Sequence, residues 1–190
     1  MSGINKSLIL HGGLIALLLV LGFVLPPYHH GNLARVMVLA VYAMGYNVLF
    51  GYTGLLSLGH AMFFAAGMYG MGLSIQHLGF SAEAALLSGI VAAFVLSTVV
   101  GLLALRTTGV AFMIVTLMFA QTGYLVILYF GEWTRGDEGF VIQKASRVIA
   151  GFDVSDPANR YMAALILFAI CLALILKLVQ NPFGKKLIAI

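Results

Sequence analysis

The residues of this sequence that are most capable of acid–base or metal chemistry are two adjacent carboxylates and two adjacent histidines. Asp137 precedes Glu138, and His29 precedes His30. Neighbours in sequence do not automatically converge on one substrate atom, and no nucleophile or further ligand stands at a suitable spacing. Adjacent histidines also lack the spacing of a helical metal-binding pair. We therefore predict no catalytic residue, no metal site and no cofactor, and interpret the carboxylate pair as part of a solvated turn.

The sequence also argues against cysteine-based sites and against nucleotide hydrolysis or nucleic-acid binding. Cys171 is the only cysteine, so this chain alone builds neither a disulfide framework nor a thiolate metal site. No glycine-rich phosphate-binding loop with its lysine occurs, which argues against ATP hydrolysis by this chain. The net charge of +4 comes from thinly spread Lys and Arg residues without a basic stripe, so we exclude nucleic-acid binding.

The elements that must position these residues are almost free of charge. The sequence is 62% hydrophobic and 8% charged, whereas a soluble domain is about 25% charged. A water-soluble fold of this size cannot cover its surface with so few charges. Every Asp, Glu, Lys and Arg lies outside six uncharged stretches, which are 8–25, 36–50, 55–75, 84–105, 110–130 and 161–176.

These stretches have the lengths of membrane-spanning helices. About 20 helical residues cross a hydrocarbon core about 30 Å thick. Two stretches are shorter, but Arg35 and Lys177 lie beside them and can extend their aliphatic stems along the core. The alternation typical of an outer-membrane barrel is absent. We predict an all-α, polytopic transmembrane helix bundle with about six spans, surrounded by the lipid bilayer.

Charge does not orient such a bundle, because the Lys and Arg residues divide equally between its two sides. The connections are asymmetric. We expect minimal turns at 51–54 and 106–109, and the longest connection at 131–160. Within that connection, a helical spacing of apolar residues predicts a short surface helix over 141–149.

The junction before the third stretch, GYTGLLSLGH, is the most informative segment. Its glycines interrupt a long apolar run, and irregular backbone at membrane depth is tolerated only beside protein or a water-filled cavity. Two interpretations stay open, a tight turn between spans and a broken helix beside a pathway. The candidate pathway or helix-break residues here are Gly51, Tyr52, Gly54, Ser57 and His60.

His60 is placed one turn into the third helix, where packing competes with a role as ligand or proton carrier. Two further candidates lie in the fifth stretch. Gln121 needs a hydrogen-bonding partner at membrane depth, so it either joins helices or lines a pathway. Thr116 can bond back to its own helix.

Small residues recur at four-residue spacing along the third stretch, which predicts a closely packed helix or one that lines a pathway. One stripe contains Ser57, Ala61 and Ala65, and the other contains Ala66, Gly70 and Ser74.

Four motifs carry a resemblance to a known family. The run GYTGLLSLGHAMFFAAGMYG looks like the signature of the LivM-type inner-membrane permease of branched-chain amino acid ABC importers. LRTTGVAFMIVTL, which begins at Leu105, resembles the family's LR-x-x-G-x-x-F-x-x-V-T-L segment. TRGDEG, which begins at Thr134, resembles its T-G-G-x-x-G loop, with Arg135 in place of the first glycine. NPFGKKL, which begins at Asn181, resembles S-P-F-G-R-x-L at the start of a cytoplasmic segment.

The resemblance implies a multi-pass pore subunit of the bacterial inner membrane. Its implied partners are a second related permease, two cytoplasmic ATPase subunits and a periplasmic solute-binding protein. The resemblance also places the termini inside and 131–160 outside, as an extracytoplasmic loop. That loop would dock the binding protein or form an external gate through Thr134, Arg135, Gly136, Asp137, Glu138 and Gly139.

The segment 180–190 is expected to begin the part that couples to the ATPases. Its candidate coupling residues are Asn181, Pro182, Phe183, Gly184, Lys185 and Lys186. We expect 1–190 to form a single transmembrane permease domain that is incomplete at its C-terminus, because the family continues beyond this motif.

Function follows from the resemblance as a permease subunit of an ATP-binding cassette importer for branched-chain or other amino acids. Similar permeases handle urea or short amides, and selectivity rests largely with the binding protein. The alternative is an ion-coupled secondary transporter of small solutes, which would need an ionisable residue at mid-membrane, and only His60 could serve there.

Overall fold

The computed structural model describes residues 2–139, 141–142, 147–149, 151–182 and 184, with side chains from residue 9 onward. Its helices are α1 (Ser2–Val24), α2 (Pro27–Asn47), α3 (Ala61–Leu78), α4 (Ala82–Ala104), α5 (Gly109–Tyr129), α6 (Gly131–Thr134) and α7 (Pro157–Gln180). A π-helical stretch, Val48–Tyr52, follows α2, and a 3₁₀ turn, Gly136–Glu138, follows α6. Two short strands are β1 (Val148–Ile149) and β2 (Phe152–Asp153).

The helix ends follow from local chemistry. Pro27 opens α2, where its missing N–H costs no helical hydrogen bond. Gly79 ends α3 in a left-handed conformation with φ 65°. Ser81 caps α4 by accepting a hydrogen bond from the Ala84 amide at 3.4 Å. Asp156 caps α7 in the same way.

Six long helices lie where the six uncharged stretches predict them, and the prediction of an all-α, polytopic membrane fold is confirmed. Within the part of the chain that the structure describes, four helical segments are long and apolar enough to cross a membrane: Pro27–Tyr52, Ala82–Ala104, Gly109–Tyr129 and Pro157–Gln180. The first helix contributes a shorter apolar segment, Ile9–Val24. Large apolar side chains such as Phe94 and Val110, each 69% exposed, cover the outer surfaces, as expected for helices in lipid.

Two compact units divide the chain, with boundaries between residues 45 and 46 and between 151 and 152. In the first unit, α1 packs against α7 around Tyr161, which is 1% exposed. The Tyr161 hydroxyl donates to the Leu18 carbonyl, and its ring lies against Gly22. His30 packs on the same ring at a centroid distance of 5.2 Å.

In the second unit, α3 and α4 cross closely through small residues. A Cβ added at Gly89 would lie 2.6 Å from the carbonyl oxygen of Gly67. The Ser74 hydroxyl donates to the Gly70 carbonyl at 2.7 Å, and the Ser88 hydroxyl donates to Ser74 Oγ at 2.7 Å. The predicted stripe of Ala66, Gly70 and Ser74 therefore includes helix-packing residues.

Three predictions about the junction before α3 are wrong. The chain from 54 to 60 is not helical, so His60 is the N-cap of α3 and Ser57 precedes the helix instead of sharing its face. The connection at 51–54 is consequently not minimal. The Leu58 amide in this segment donates a hydrogen bond to the Thr116 hydroxyl, 58 residues away. Local spacing in the sequence does not reveal that contact.

The predicted surface helix over 141–149 is wrong at its end, because Val148 and Ile149 form β1. The Ile142 carbonyl accepts hydrogen bonds from the Arg147 guanidinium at 2.6 and 2.9 Å, whereas a helix would offer it a backbone N–H. Residues 143–146 of this prediction lie outside the described residues.

Candidate functional site

The junction between α2 and α3 begins with a widening of the helix. After Asn47 the backbone becomes π-helical through Val48–Tyr52. The Leu55 amide reaches back to the Leu49 carbonyl at 3.3 Å, and the chain then turns at Gly54, whose φ is 70°. Single π-helical turns are frequent at functional sites, and a left-handed residue at position 54 favours glycine. The junction is therefore a broken helix end rather than a tight turn between two spans.

The non-helical part of the junction is attached to α5. The Leu58 amide donates a hydrogen bond of 3.2 Å to the hydroxyl of Thr116, which donates in turn to the Met113 carbonyl at 3.0 Å. Gly59 lies directly against the backbone of Thr116, where an added Cβ would meet the carbonyl carbon at 2.7 Å. The predicted candidates Ser57 and Thr116 are thus brought to the same junction. Thr116 is 3% exposed, so this attachment is buried.

Ser57 places an unused hydroxyl inside the junction. The residue is 4% exposed, and its hydroxyl has no hydrogen-bond partner among the described residues. A buried polar group without a partner costs about 1–3 kcal/mol. An unpaired buried group of this kind calls for an explanation, such as a bound water molecule, an ion or a role in function.

His60 lies at the α3 end of the junction, between aromatic rings. Its ring centroid is 5.2 Å from that of Tyr46 and 5.7 Å from that of Phe63, with the latter pair edge to face. The junction therefore combines freed backbone, a buried hydroxyl and an aromatic-lined imidazole within one segment. A role of His60 in a pathway stays a prediction.

The other predicted membrane candidates are less buried than Ser57 and Thr116. Gly51 is exposed and Tyr52 is partly buried, both within the π-helical stretch. Gln121 is exposed on α5. The sequence missed Tyr46 and Gly59 as parts of the junction.

The turn after α5 is organised by Thr134. Its hydroxyl donates to the Ile127 carbonyl at 2.6 Å and accepts from the Gly136 amide at 3.1 Å. Arg135 has φ 60° and is the only non-glycine residue with positive φ among those described. This position corresponds to the first glycine of the family motif. The departure from the motif therefore places a residue with a Cβ in the left-handed region.

Two side-chain contacts attach this turn to α3 and α5. His77 Nε2, at the end of α3, lies 3.0 Å from the Trp133 carbonyl oxygen. The Tyr124 hydroxyl donates to Asp137 Oδ1 at 3.2 Å. Asp137 and Glu138 are both exposed, as the solvated-turn interpretation expects. No group of three His, Cys, Asp or Glu side chains in the described ranges is arranged to hold a metal ion.

The segment that follows α7 is described only in part. The Asn181 amide donates to the Lys177 carbonyl at 3.2 Å, and Pro182 is exposed. Gly184 is buried, and a Cβ there would lie 2.5 Å from two carbonyl oxygens at the end of α7. A bulky side chain at 184 would therefore displace backbone. Phe183, Lys185 and Lys186 lie outside the described residues.

Comparison with known proteins places these features in a family. Residues 30–190 match the sequence model of the family described as branched-chain amino acid transport system, permease component. Two relatives are named high-affinity branched-chain amino acid transport system permease protein LivM. The relative from Salmonella typhimurium is 29% identical over 173 residues, covering 78% of this chain and 40% of the relative. The relative from Escherichia coli is 28% identical over 173 residues with the same coverage.

The chain thus spans about two fifths of the length of the relatives it matches. No solved structure matches it significantly.

Proposed function

Because the chain belongs to the family of permease components of branched-chain amino acid transport systems, we propose that it forms part of the route by which a branched-chain amino acid crosses the bacterial inner membrane. The observation that carries this proposal is the family match over residues 30–190, which include α3, α4, α5 and α7 and nearly all of α2. The lipid-exposed apolar helices agree with such a role.

The energy source is proposed to lie on other chains. The sequence contains no phosphate-binding loop, which supports the proposal that two separate cytoplasmic ATPase subunits hydrolyse the ATP. A second related permease would complete the route, and a periplasmic binding protein would deliver the substrate. Asn181 and Pro182 are exposed beyond the end of α7, which leaves them accessible to an ATPase subunit.

The junction of residues 48–60 is the proposed contact region for the passing substrate. A branched-chain amino acid carries a charged ammonium and carboxylate that need polar partners, while its side chain crosses an apolar surface without penalty. Backbone freed from regular helix and the Ser57 hydroxyl offer such partners. The nearby Thr116 hydroxyl holds this backbone in place.

The turn of residues 134–139 is the proposed docking or gating element on the outer side. Its exposed carboxylates, Asp137 and Glu138, are available to a partner protein, and Thr134 gives the turn a defined shape. The proposal includes the orientation in which this turn faces the periplasm.

The test is uptake of radiolabelled leucine into proteoliposomes. They would contain this chain with the permease and ATPase proteins encoded beside it, and with the binding protein supplied at the outer face. We expect uptake that needs hydrolysable ATP and stops when the ATPase subunits carry a disabling substitution.

Each other outcome has a defined meaning. Uptake driven by a proton or sodium gradient without ATP would contradict the proposal in favour of an ion-coupled transporter. Uptake of urea or a short amide in preference to leucine, isoleucine and valine would keep the permease role and overturn the substrate class.

A further inference from the structure

Three aromatic side chains point away from the protein where the chain leaves α5. Tyr129 is 84% exposed, Phe130 is 51% exposed and Trp133 is 59% exposed. The first charged residue after the span, Glu132, stands between them. Exposed aromatic rings beside charged residues at the end of an apolar helix need an explanation, because none of them is buried against the described protein.

The length of α5 places these rings at a particular depth. Its 21 residues rise about 1.5 Å each, giving a helix about 31 Å long, which is close to the hydrocarbon thickness of about 30 Å. When the α5 N-terminus lies at one boundary of the core, Tyr129 reaches the other boundary. Trp133 then lies within the next turn, at the level of the lipid headgroups.

The turn that carries the rings is held in position by polar contacts. His77 Nε2 lies 3.0 Å from the Trp133 carbonyl oxygen, and the two rings are 5.0 Å apart between centroids. The Thr134 hydroxyl donates to the Phe130 carbonyl at 3.0 Å as well as to Ile127. The ends of α3 and α5 are therefore both attached to this turn.

We propose that the segment 129–133, the aromatic turn, docks into the polar–apolar interface of the bilayer and anchors the ends of α3 and α5 there. Tyr and Trp rings prefer this level because one edge is polar and the body is apolar. The Trp133 side chain is 59% exposed, so its indole N–H is accessible to the ester carbonyls of lipids at this level. The proposal requires a membrane-spanning fold but does not depend on the transported substrate.

Lipid is favoured over a protein partner by continuity with the surface below. The adjoining part of α5 exposes Leu125 (54%) and Val126 (50%), which suit acyl chains. The turn extends that surface upward with amphipathic rings and then with charged residues. This order of apolar, amphipathic and charged groups matches the order of chemistry across one leaflet.

The experiment uses Trp133 as its own probe, because it is the only tryptophan in the chain. The full chain is reconstituted into vesicles of phosphatidylcholine brominated near the headgroup, midway along the acyl chain, or near the chain end. We expect blue-shifted emission and the strongest quenching by the bromines nearest the headgroup. Quenching should weaken with each deeper position, and acrylamide in the water should quench weakly.

Two other results would overturn the proposal. Strong quenching by acrylamide with none by the brominated lipids would place Trp133 in water, as a protein-docking surface requires. Strongest quenching by the deepest bromines would place the turn inside the hydrocarbon core.

A matched pair of variants calibrates depth. W133F/L117W moves the tryptophan to the middle of α5, where Leu117 is 45% exposed, and the deepest bromines should then quench most strongly. W133F/V110W moves it to the other end of α5, where shallow bromines should again dominate. If the W133F/L117W variant gave the same depth profile as the unmodified chain, the interface assignment of Trp133 would be wrong.

Discussion

The amide of Leu58 donates a hydrogen bond of 3.2 Å to the hydroxyl of Thr116, across 58 residues of sequence. The bond joins a non-helical segment to the middle of a membrane-spanning helix. No water is available in hydrocarbon to replace it, so irregular backbone at this position depends on that hydroxyl. The broken helix is therefore a built feature of the fold.

Removing the Thr116 hydroxyl should weaken this attachment. We expect Thr116→Val to lower the free energy of unfolding by about 1–3 kcal/mol, because the Leu58 amide loses its acceptor. Thr122→Val is the matched control, since the Thr122 hydroxyl donates to the Met118 carbonyl of its own helix. Thermal unfolding in detergent measures both, and equal midpoints for the two variants would contradict the prediction.

Gly59 should tolerate no side chain. A Cβ there would meet the Thr116 carbonyl carbon at 2.7 Å, and backbone cannot yield as a flexible side chain does. Gly59→Ala should therefore destabilise the protein by about 1–3 kcal/mol, the range for overpacking. Gly45→Ala, where a Cβ meets nothing within 4 Å, should leave the protein as stable or raise its stability. Thermal unfolding midpoints of the two variants in detergent test this prediction, and equal midpoints would contradict it.

The crossing of α3 and α4 should be similarly sensitive at Gly89. An added methyl group would lie 2.6 Å from the Gly67 carbonyl oxygen, forcing the helices apart. We expect Gly89→Ala to lower the unfolding midpoint clearly, whereas Gly101→Ala in the same helix has open space and should not. A crosslink between cysteines placed across the two helices would form more slowly only in the Gly89 variant.

The Ser57→Ala substitution distinguishes a functional role of this hydroxyl from a structural one. Its hydroxyl makes no hydrogen bond among the described residues, so Ser57→Ala should not lower stability and removes an unsatisfied buried group. If the hydroxyl contacts substrate, the same variant should reduce leucine uptake in proteoliposomes. Ser97→Ala is the control expected to transport normally, because Ser97 is a partly exposed residue of α4 whose hydroxyl donates to the Phe94 carbonyl of the same helix. Unchanged uptake by the Ser57 variant would remove this residue from the pathway.

Arg135 should be better replaced by glycine than by alanine. Its φ of 60° is a left-handed conformation that costs a residue with a Cβ roughly 1–2 kcal/mol. Arg135→Gly should raise the free energy of unfolding by about 1 kcal/mol or less, because glycine is also more flexible when unfolded. Arg135→Ala keeps the strained conformation, so an equal gain in both variants would attribute the effect to lost charge instead.

Much of the fold could be predicted because lipid imposes simple rules. Charged side chains are expensive in hydrocarbon and backbone groups must bond internally, so uncharged stretches of sufficient length predict helices. The helix bounds differ from the stretches by a few residues where caps act, as at Ser81. The motif that begins at Gly51 likewise indicated the family before any contact was known.

The candidate site was only partly predictable. The sequence singled out Ser57 and Thr116 but treated Ser57 as part of a helical stripe and His60 as a residue inside the helix. Both predictions were wrong, because Gly54 turns the chain and the Thr116 hydroxyl accepts a hydrogen bond from the Leu58 amide, so the helix begins only after His60. The placement of Arg135 in a left-handed turn had one available signal, the glycine at that position of the family motif.

The sequence by itself determined that the chain is a bundle of apolar helices and that it resembles a family of permeases, since both follow from composition and local order. Tertiary structure alone decided that Thr116 holds the broken helix and that His77 meets the Trp133 carbonyl at 3.0 Å, 56 residues away. These contacts join residues that are distant along the chain. Side-chain periodicity within one helix carries no information about which group of another helix it will meet.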